Sequence, residues 1–156
     1  VANYYVRLSF LVDSPSPEAS RDLRNCIEDP ESRFLMVGGS KDLFDDEEVI
    51  NIGTADIQGN EVWVHDEDGE AQVEYLADLL AAWQVKYNAP SIGFEYSYDC
   101  DKPRIDAYGG GAVYIKDGEQ QWMTTSTWLA TRGTEDISPK GVSDLLEEKI
   151  EKDNGG

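Results

Sequence analysis

The stretch EVWVHDEDGEAQVEYLADLLAAWQVKY, Glu61 to Tyr87, holds a strand, an acidic turn and a helix in that order. EVWVH is a run of strand type, rich in β-branched and aromatic residues. DEDGE follows as turn chemistry. From Val73 onward, Leu76, Leu79, Leu80, Trp83 and Tyr87 recur at helical spacing and make one apolar stripe. The next run, SIGFEYSYD, puts Ile92, Phe94, Tyr96 and Tyr98 on one face of a strand.

The N-terminal third follows the same order. In YYVRLSFLV, Tyr4, Val6, Leu8, Phe10 and Val12 alternate with Tyr5, Arg7 and Ser9, as a half-buried strand requires. Ser16 is then the N-cap and Pro17 the first residue of a helix over Pro17 to Glu28, with Ala19, Leu23, Cys26 and Ile27 on its apolar side and Pro30 as its end. RFLMVGG reads as a short strand, SKDLFDDEE as an acidic loop or helical turn, and VINIGTADI as an edge strand that turns at QGN.

After the second helix, GAVYIK and EQQWMTT form a hairpin around Asp117-Gly118, and a helical turn follows near Ser126 to Ala130. The expected fold class is α+β. It comprises an antiparallel or mixed sheet with two long helices on one face, in the manner of a ferredoxin-like split βαβ with extra strands. Residues 1–133 are expected to form the domain. Residues 134–156 add a C-terminal amphipathic helix, with Val142, Leu145, Leu146 and Ile150 at helical intervals, and a frayed tail. That helix is a candidate homodimer contact.

Composition narrows the function classes. Thirty-two acidic and 13 basic residues give a net charge of −19, which repels phosphate backbones and anionic membranes. We therefore expect no direct nucleic acid or membrane binding. There is no apolar run of about 18 residues and no secretory leader pattern, so the expected compartment is the cytoplasm. Cys26 and Cys100 lack metal-knuckle spacing and read as free thiols.

The charge is unevenly placed. Between Asp42 and Val85 there is no Lys or Arg, yet there are thirteen carboxylates, about two-thirds of the net charge. Acid adaptation to a salty cytoplasm should spread over the whole surface, whereas this block is local. It predicts a surface for a basic partner, with Asp45, Asp46, Glu47, Glu48, Asp66, Glu67, Asp68 and Glu70 as the contact residues. Carboxylates at phosphate-like spacing would let such a surface mimic DNA.

Motifs for other chemistry are weak. His65 beside Asp66, Glu67 and Asp68 suggests a calcium loop, but with Gly69 as the loop glycine the first and last ligand positions fall on Val64 and Tyr75. A chain with one His is poorly supplied for catalytic zinc. No GxSxG elbow is present, and Cys100 stands between two aspartates, which disfavour its thiolate. GGG at 109 to 111 lacks dinucleotide-loop spacing, so no cofactor is expected. The segment DCDKPRIDAYGGG instead reads as a bulged turn between strands whose charges compensate one another. Asp99, Asp101, Lys102, Arg104, Asp106 and Tyr108 are its candidate ligand residues.

ANYYVRLSF, VWVHDEDGEAQVEYLADLL and DCDKPRIDAYGGGAV with WMTTSTWL resemble an uncharacterised family of small acidic proteins of bacteria and their phages. The pattern is Cys100, Lys102, Pro103, Arg104 and then Gly109 to Ala112. The resemblance spans the first strand and Val62 to Leu129, and it implies a phage or mobile-element origin without naming an activity. The leading expectation is a non-enzymatic acidic protein that blocks or regulates a basic, nucleic-acid-binding protein, as an anti-restriction or anti-CRISPR factor would. Two alternatives stand beside it: a small-ligand binder or hydrolase using the 99–108 loop, and an acidic self-associating module of a halophilic organism.

Overall fold

A computed structural model describes residues 3–37, 51–105 and 107–132. The chain divides into two compact units, Val1–Thr124 and Thr125–Gly156. In the first, β1 (Tyr4–Asp13) leads to α1 (Pro17–Glu28) and α2 (Pro30–Met36), then to the hairpin β2 (Thr54–Gln58) and β3 (Glu61–His65). Helix α3 (Val73–Tyr87) follows, and β4 (Ile92–Cys100), β5 (Gly109–Lys116) and β6 (Glu119–Thr124) complete the unit. In the second unit the described element is α4 (Thr125–Arg132), where the Arg132 guanidinium lies 4.6 Å from the centre of the Trp128 ring. The expected C-terminal helix over residues 134–156 lies outside the described residues.

The fold is α+β, with one six-stranded antiparallel sheet in the order β2-β3-β1-β4-β5-β6. Each long connection through a helix passes over one strand: β1 to β2 passes over β3, and β3 to β4 passes over β1. Strand β1 divides its pairing. Tyr4 to Leu8 run against Cys100 to Tyr96, whereas Ser9 to Asp13 run against His65 to Glu61. Beyond Leu8, β1 therefore leaves β4, and the rings of Phe10 and Phe94 stack across the split with centres 4.3 Å apart.

Alternation decides which sheet face is buried. Leu8, Val12, Val62, Val64, Ile92, Phe94, Val113 and Ile115 are buried on one face with Leu23 and Ile27 of α1 and Leu76, Leu79, Leu80 and Trp83 of α3. Each fully buried side chain of this size contributes roughly 1.5–3 kcal/mol. Trp83 Nε1 donates to Ala19 O at 2.8 Å, so the largest core side chain also ties α3 to α1. The opposite face, with Arg7, Ser9, Leu11, Glu95, Ser97 and Tyr114, is exposed.

Local chemistry sets the ends of the elements. Ser16 Oγ accepts from Ala19 N at 3.1 Å, and Pro17 occupies the first turn of α1. The short strand expected at RFLMVGG is corrected: residues 30–36 are helical. Asp29 ends α1 and caps α2 by accepting from Ser32 N at 3.2 Å, and Pro30 is ready-made for the first turn. Pro30 thus ends one helix and begins another. Asn88, in the left-handed conformation, terminates α3, and Asp117-Gly118, both with positive φ, make the expected two-residue hairpin. Gln84, buried, donates to Pro90 O and Ile115 O and accepts from Gly118 N, which fastens that hairpin to α3.

Asp22 also joins the two long helices, accepting from Lys86 Nζ at 2.8 Å and from the Tyr87 hydroxyl. Burial pushes its carboxyl up, but the Lys86 and Tyr87 hydrogen bonds outweigh this and hold it below its ordinary 3.8. A depressed folded-state value contributes stability that is present above about pH 3.8 and is lost as pH falls through the lower folded value. Asp22→Asn is expected to cost about 1 kcal/mol at neutral pH, with Lys86 partly screened by solvent. It should also flatten the loss of stability below pH 3.8 in acid-unfolding curves, and an acid limb as steep as the wild type would disprove the assignment.

Candidate functional site

The acidic block is organised by the hairpin β2–β3. Trp63 and His65, two apart on one strand, both project from the exposed face, and Asp56 stands on the same face of β2 opposite Trp63. His65 Nε2 meets Asp56 Oδ2 at 2.8 Å, and its Nδ1 lies 3.9 Å from Glu67 Oε1. The Trp63 ring covers the imidazole at 3.8 Å, leaving the His65 side chain 7% exposed between two solvent-facing carboxylates. Trp63 Nε1 in turn donates to Ser9 Oγ at 2.8 Å. Gly53, at φ +123, lets the chain enter β2 beside this cluster, because a Cβ there would sit 2.9 Å from the His65 carbonyl oxygen.

The turn after β3 is built by Asp66. Its Oδ1 accepts from Asp68 N at 3.1 Å and its Oδ2 from Ala71 N at 2.8 Å. Its own N–H donates to Leu8 O at 3.2 Å. Asp66 therefore shapes the turn, while Glu67, Asp68 and Glu70 are exposed on it. Gly69, at φ +74, packs against the Tyr5 ring, and its carbonyl accepts from Val6 N at 2.7 Å. The other four residues expected in this surface, Asp45, Asp46, Glu47 and Glu48, lie outside the described residues.

This geometry does not make a nucleophile–base pair. Ser9 faces His65 in register, yet its oxygen accepts the hydrogen bond of the Trp63 N–H, and the histidine ring nitrogens face Asp56 and Glu67. A triad needs the base on the nucleophile. Among the described residues, no three His, Cys, Asp or Glu side chains converge as a metal shell would need. Burial, reinforced by Asp22, pushes the Cys26 thiol up to about 12, which suits a packed side chain rather than a thiolate.

The 99–108 loop is held by its own polar groups and by Asn3 and Arg7. Asp99 pairs with Arg7 at 3.1 Å, and Asp101 accepts from the Asn3 backbone at 2.9 Å and its side chain at 2.8 Å. The Tyr108 hydroxyl lies 3.1 Å from Cys100 O and 3.0 Å from Lys102 O, and Arg104 N donates to Lys102 O at 2.8 Å. Lys102 and Arg104 are exposed, and Asp106 lies outside the described residues. One expectation is corrected: Gly109 and Gly110 belong, with Gly111, to β5 rather than to a bulged turn. They lie against Tyr96 and Tyr98 of β4, where a Cβ on Gly109 would meet the Tyr98 hydroxyl at 2.5 Å.

Sequence reading did not find the groove on the exposed face. Where β1 parts from β4, a depression of about 790 Å³ opens, floored by Gly93 and Ala112 and bordered by Ser9, Tyr114 and Met123. A second, of about 490 Å³, adjoins it at Ser9 and Phe10 and reaches Leu11, Gln58 and Trp63. Leu11, Tyr114 and Met123 are 50%, 43% and 51% exposed. The available signal was the small residues Gly93 and Ala112 in two strand runs, with Tyr114 two positions from Ala112.

Comparison with protein-family models, curated proteins and solved structures finds no match to this chain.

Proposed function

We propose that this protein is an acidic interaction module that binds a basic, nucleic-acid-binding protein and blocks or regulates it. The observation that carries this reading is the convergence on His65. Asp56 from β2 and Glu67 from the turn after β3 flank one imidazole, so carboxylates separated in sequence meet beside the turn on which Asp68 and Glu70 are exposed. A one-sign surface attracts the opposite potential at long range and rejects phosphate. The resemblance to small acidic phage proteins fits an inhibitor of host defence, acting in the cytoplasm as a nucleic-acid mimic. For the scaffold, the order β2-β3-β1-β4 with α1 and α3 as its two crossovers supports a ferredoxin-like split βαβ, widened by β5 and β6.

The test is affinity capture from a lysate of the source organism, with captured proteins identified by mass. A basic protein should be retained at about 0.1 M salt, where the screening length is about 10 Å, and released near 1 M, where it is about 3 Å. Combining Glu67→Lys, Asp68→Lys and Glu70→Lys should weaken capture at least about tenfold, since each reversal acts on an exposed carboxylate. Capture that is indifferent to both salt and charge reversal overturns the proposal.

A further inference from the structure

We infer that the groove on the exposed sheet face receives an amphipathic basic helix of the partner, laid with its apolar stripe against Leu11, Tyr114 and Met123. This rests on the reading above and deepens it by naming the element that is bound. The sheet buries one face under α1 and α3 and presents the other, which is the layer arrangement that a further helix completes. The split between β1 and β4 supplies the depth. Ladder pairing stops at Leu8 and Tyr96, and beyond it Gly93 and Ala112 keep the floor low between Tyr114 and Met123, with Glu95 and Gln121 also lining it.

Charge supplies the sign of the occupant. On this face Asp13, Asp56, Glu61, Glu95, Asp99 and Glu119 alternate outward along their strands, against Arg7, which Asp99 already pairs, and Lys116. An apolar groove with such a rim fits a helix carrying Leu-type residues at i, i+3, i+4 and i+7 and Lys or Arg elsewhere.

The probe is an 18-residue Lys/Leu peptide with that stripe, labelled for anisotropy, compared with a permuted peptide of equal composition that lacks the stripe when helical. The receptor variants are neutral, so the charge of the face is unchanged. Gly93→Gln fills the floor at a position where a Cβ meets only Tyr114 Cδ1 at 3.6 Å and the Val113 carbonyl at 4.0 Å. Leu11→Gln removes an exposed wall. Circular dichroism of each free variant checks its fold. The expected result is at least tenfold tighter binding of the striped peptide, helix gain on binding, and at least tenfold loss in each variant. Equal binding of both peptides, or wild-type affinity in both folded variants, overturns the groove. If that equal binding still falls with Glu67→Lys, Asp68→Lys and Glu70→Lys, the acidic-surface reading survives without it. If neither peptide binds, the groove inference is lost and the capture experiment alone judges the function.

Discussion

Arg33→Met is expected to lower the unfolding free energy by about 3 kcal/mol. Arg33 is only 3% exposed, and its guanidinium reaches from α2 back to the end of α1. There Nε donates to Cys26 O at 3.0 Å and Nη2 to Ile27 O at 2.6 Å. The last carbonyls of a helix have no partner within it, and they carry the negative end of its dipole. A buried cation on those oxygens satisfies both the bonding and the charge. Desolvation pulls the Arg33 pKa down, yet a guanidinium stays charged in a protein, so its burial is sustained by the carbonyls it caps. Methionine fills much of the volume but leaves the carbonyls dry and unpaired. Arg21→Met, on the exposed side of α1, is the control and should change stability by no more than about 0.5 kcal/mol. Urea denaturation of both variants decides the matter. An Arg33→Met midpoint equal to that of the control would remove the capping role.

How far such features were readable in advance depends on the range of the interaction. Strand alternation in YYVRLSFLV, the cap at Ser16, the stripe from Val73 to Tyr87 and the turn at Asp117-Gly118 are local signals, and each stands where it was expected. RFLMVGG, expected as a strand, is helical as far as Met36 because Pro30 is a start as well as a stop. Its missing N–H serves equally well at a helix start once Asp29 supplies the cap. The acidic block was visible as composition, but its assembly was not. No local pattern says that Asp56 and Glu67 will meet on His65, because that needs the register of β2 on β3. Nor does any local pattern show that the Asp66 carboxylate accepts from the Asp68 and Ala71 N–H groups and so shapes its own turn. The groove needed longer-range knowledge still, since it exists only because β1 changes partners midway.

The glycines show the same limit in energetic terms, through a paired substitution. Gly110→Ala is expected to cost about 2 to 3 kcal/mol, and Gly93→Ala, on the adjacent strand of the same sheet, less than about 0.5 kcal/mol. Neither glycine has a positive φ, so backbone conformation does not separate them. Surroundings do. A Cβ on Gly110 would fall against the Tyr96 carbonyl oxygen, closer than real Cβ atoms come, and 3.2 Å from Ser97 Cα. Both neighbours are backbone atoms of β4, so relief requires the two strands to separate at the ladder that joins them. A Cβ on Gly93 meets only Tyr114 Cδ1 at 3.6 Å and the Val113 carbonyl at 4.0 Å, ordinary contacts in the exposed groove. Losing glycine there also reduces the entropy of the unfolded chain, which offsets part of any cost. Thermal or urea unfolding of the two variants should therefore diverge although both change a hydrogen to a methyl. Amide exchange should show loosened protection at Ser97 and Gly111 in Gly110→Ala alone. Equal stabilities would mean that β4 and β5 have room to part at this point, and that the three glycines in a row are not required by the close approach of the strands.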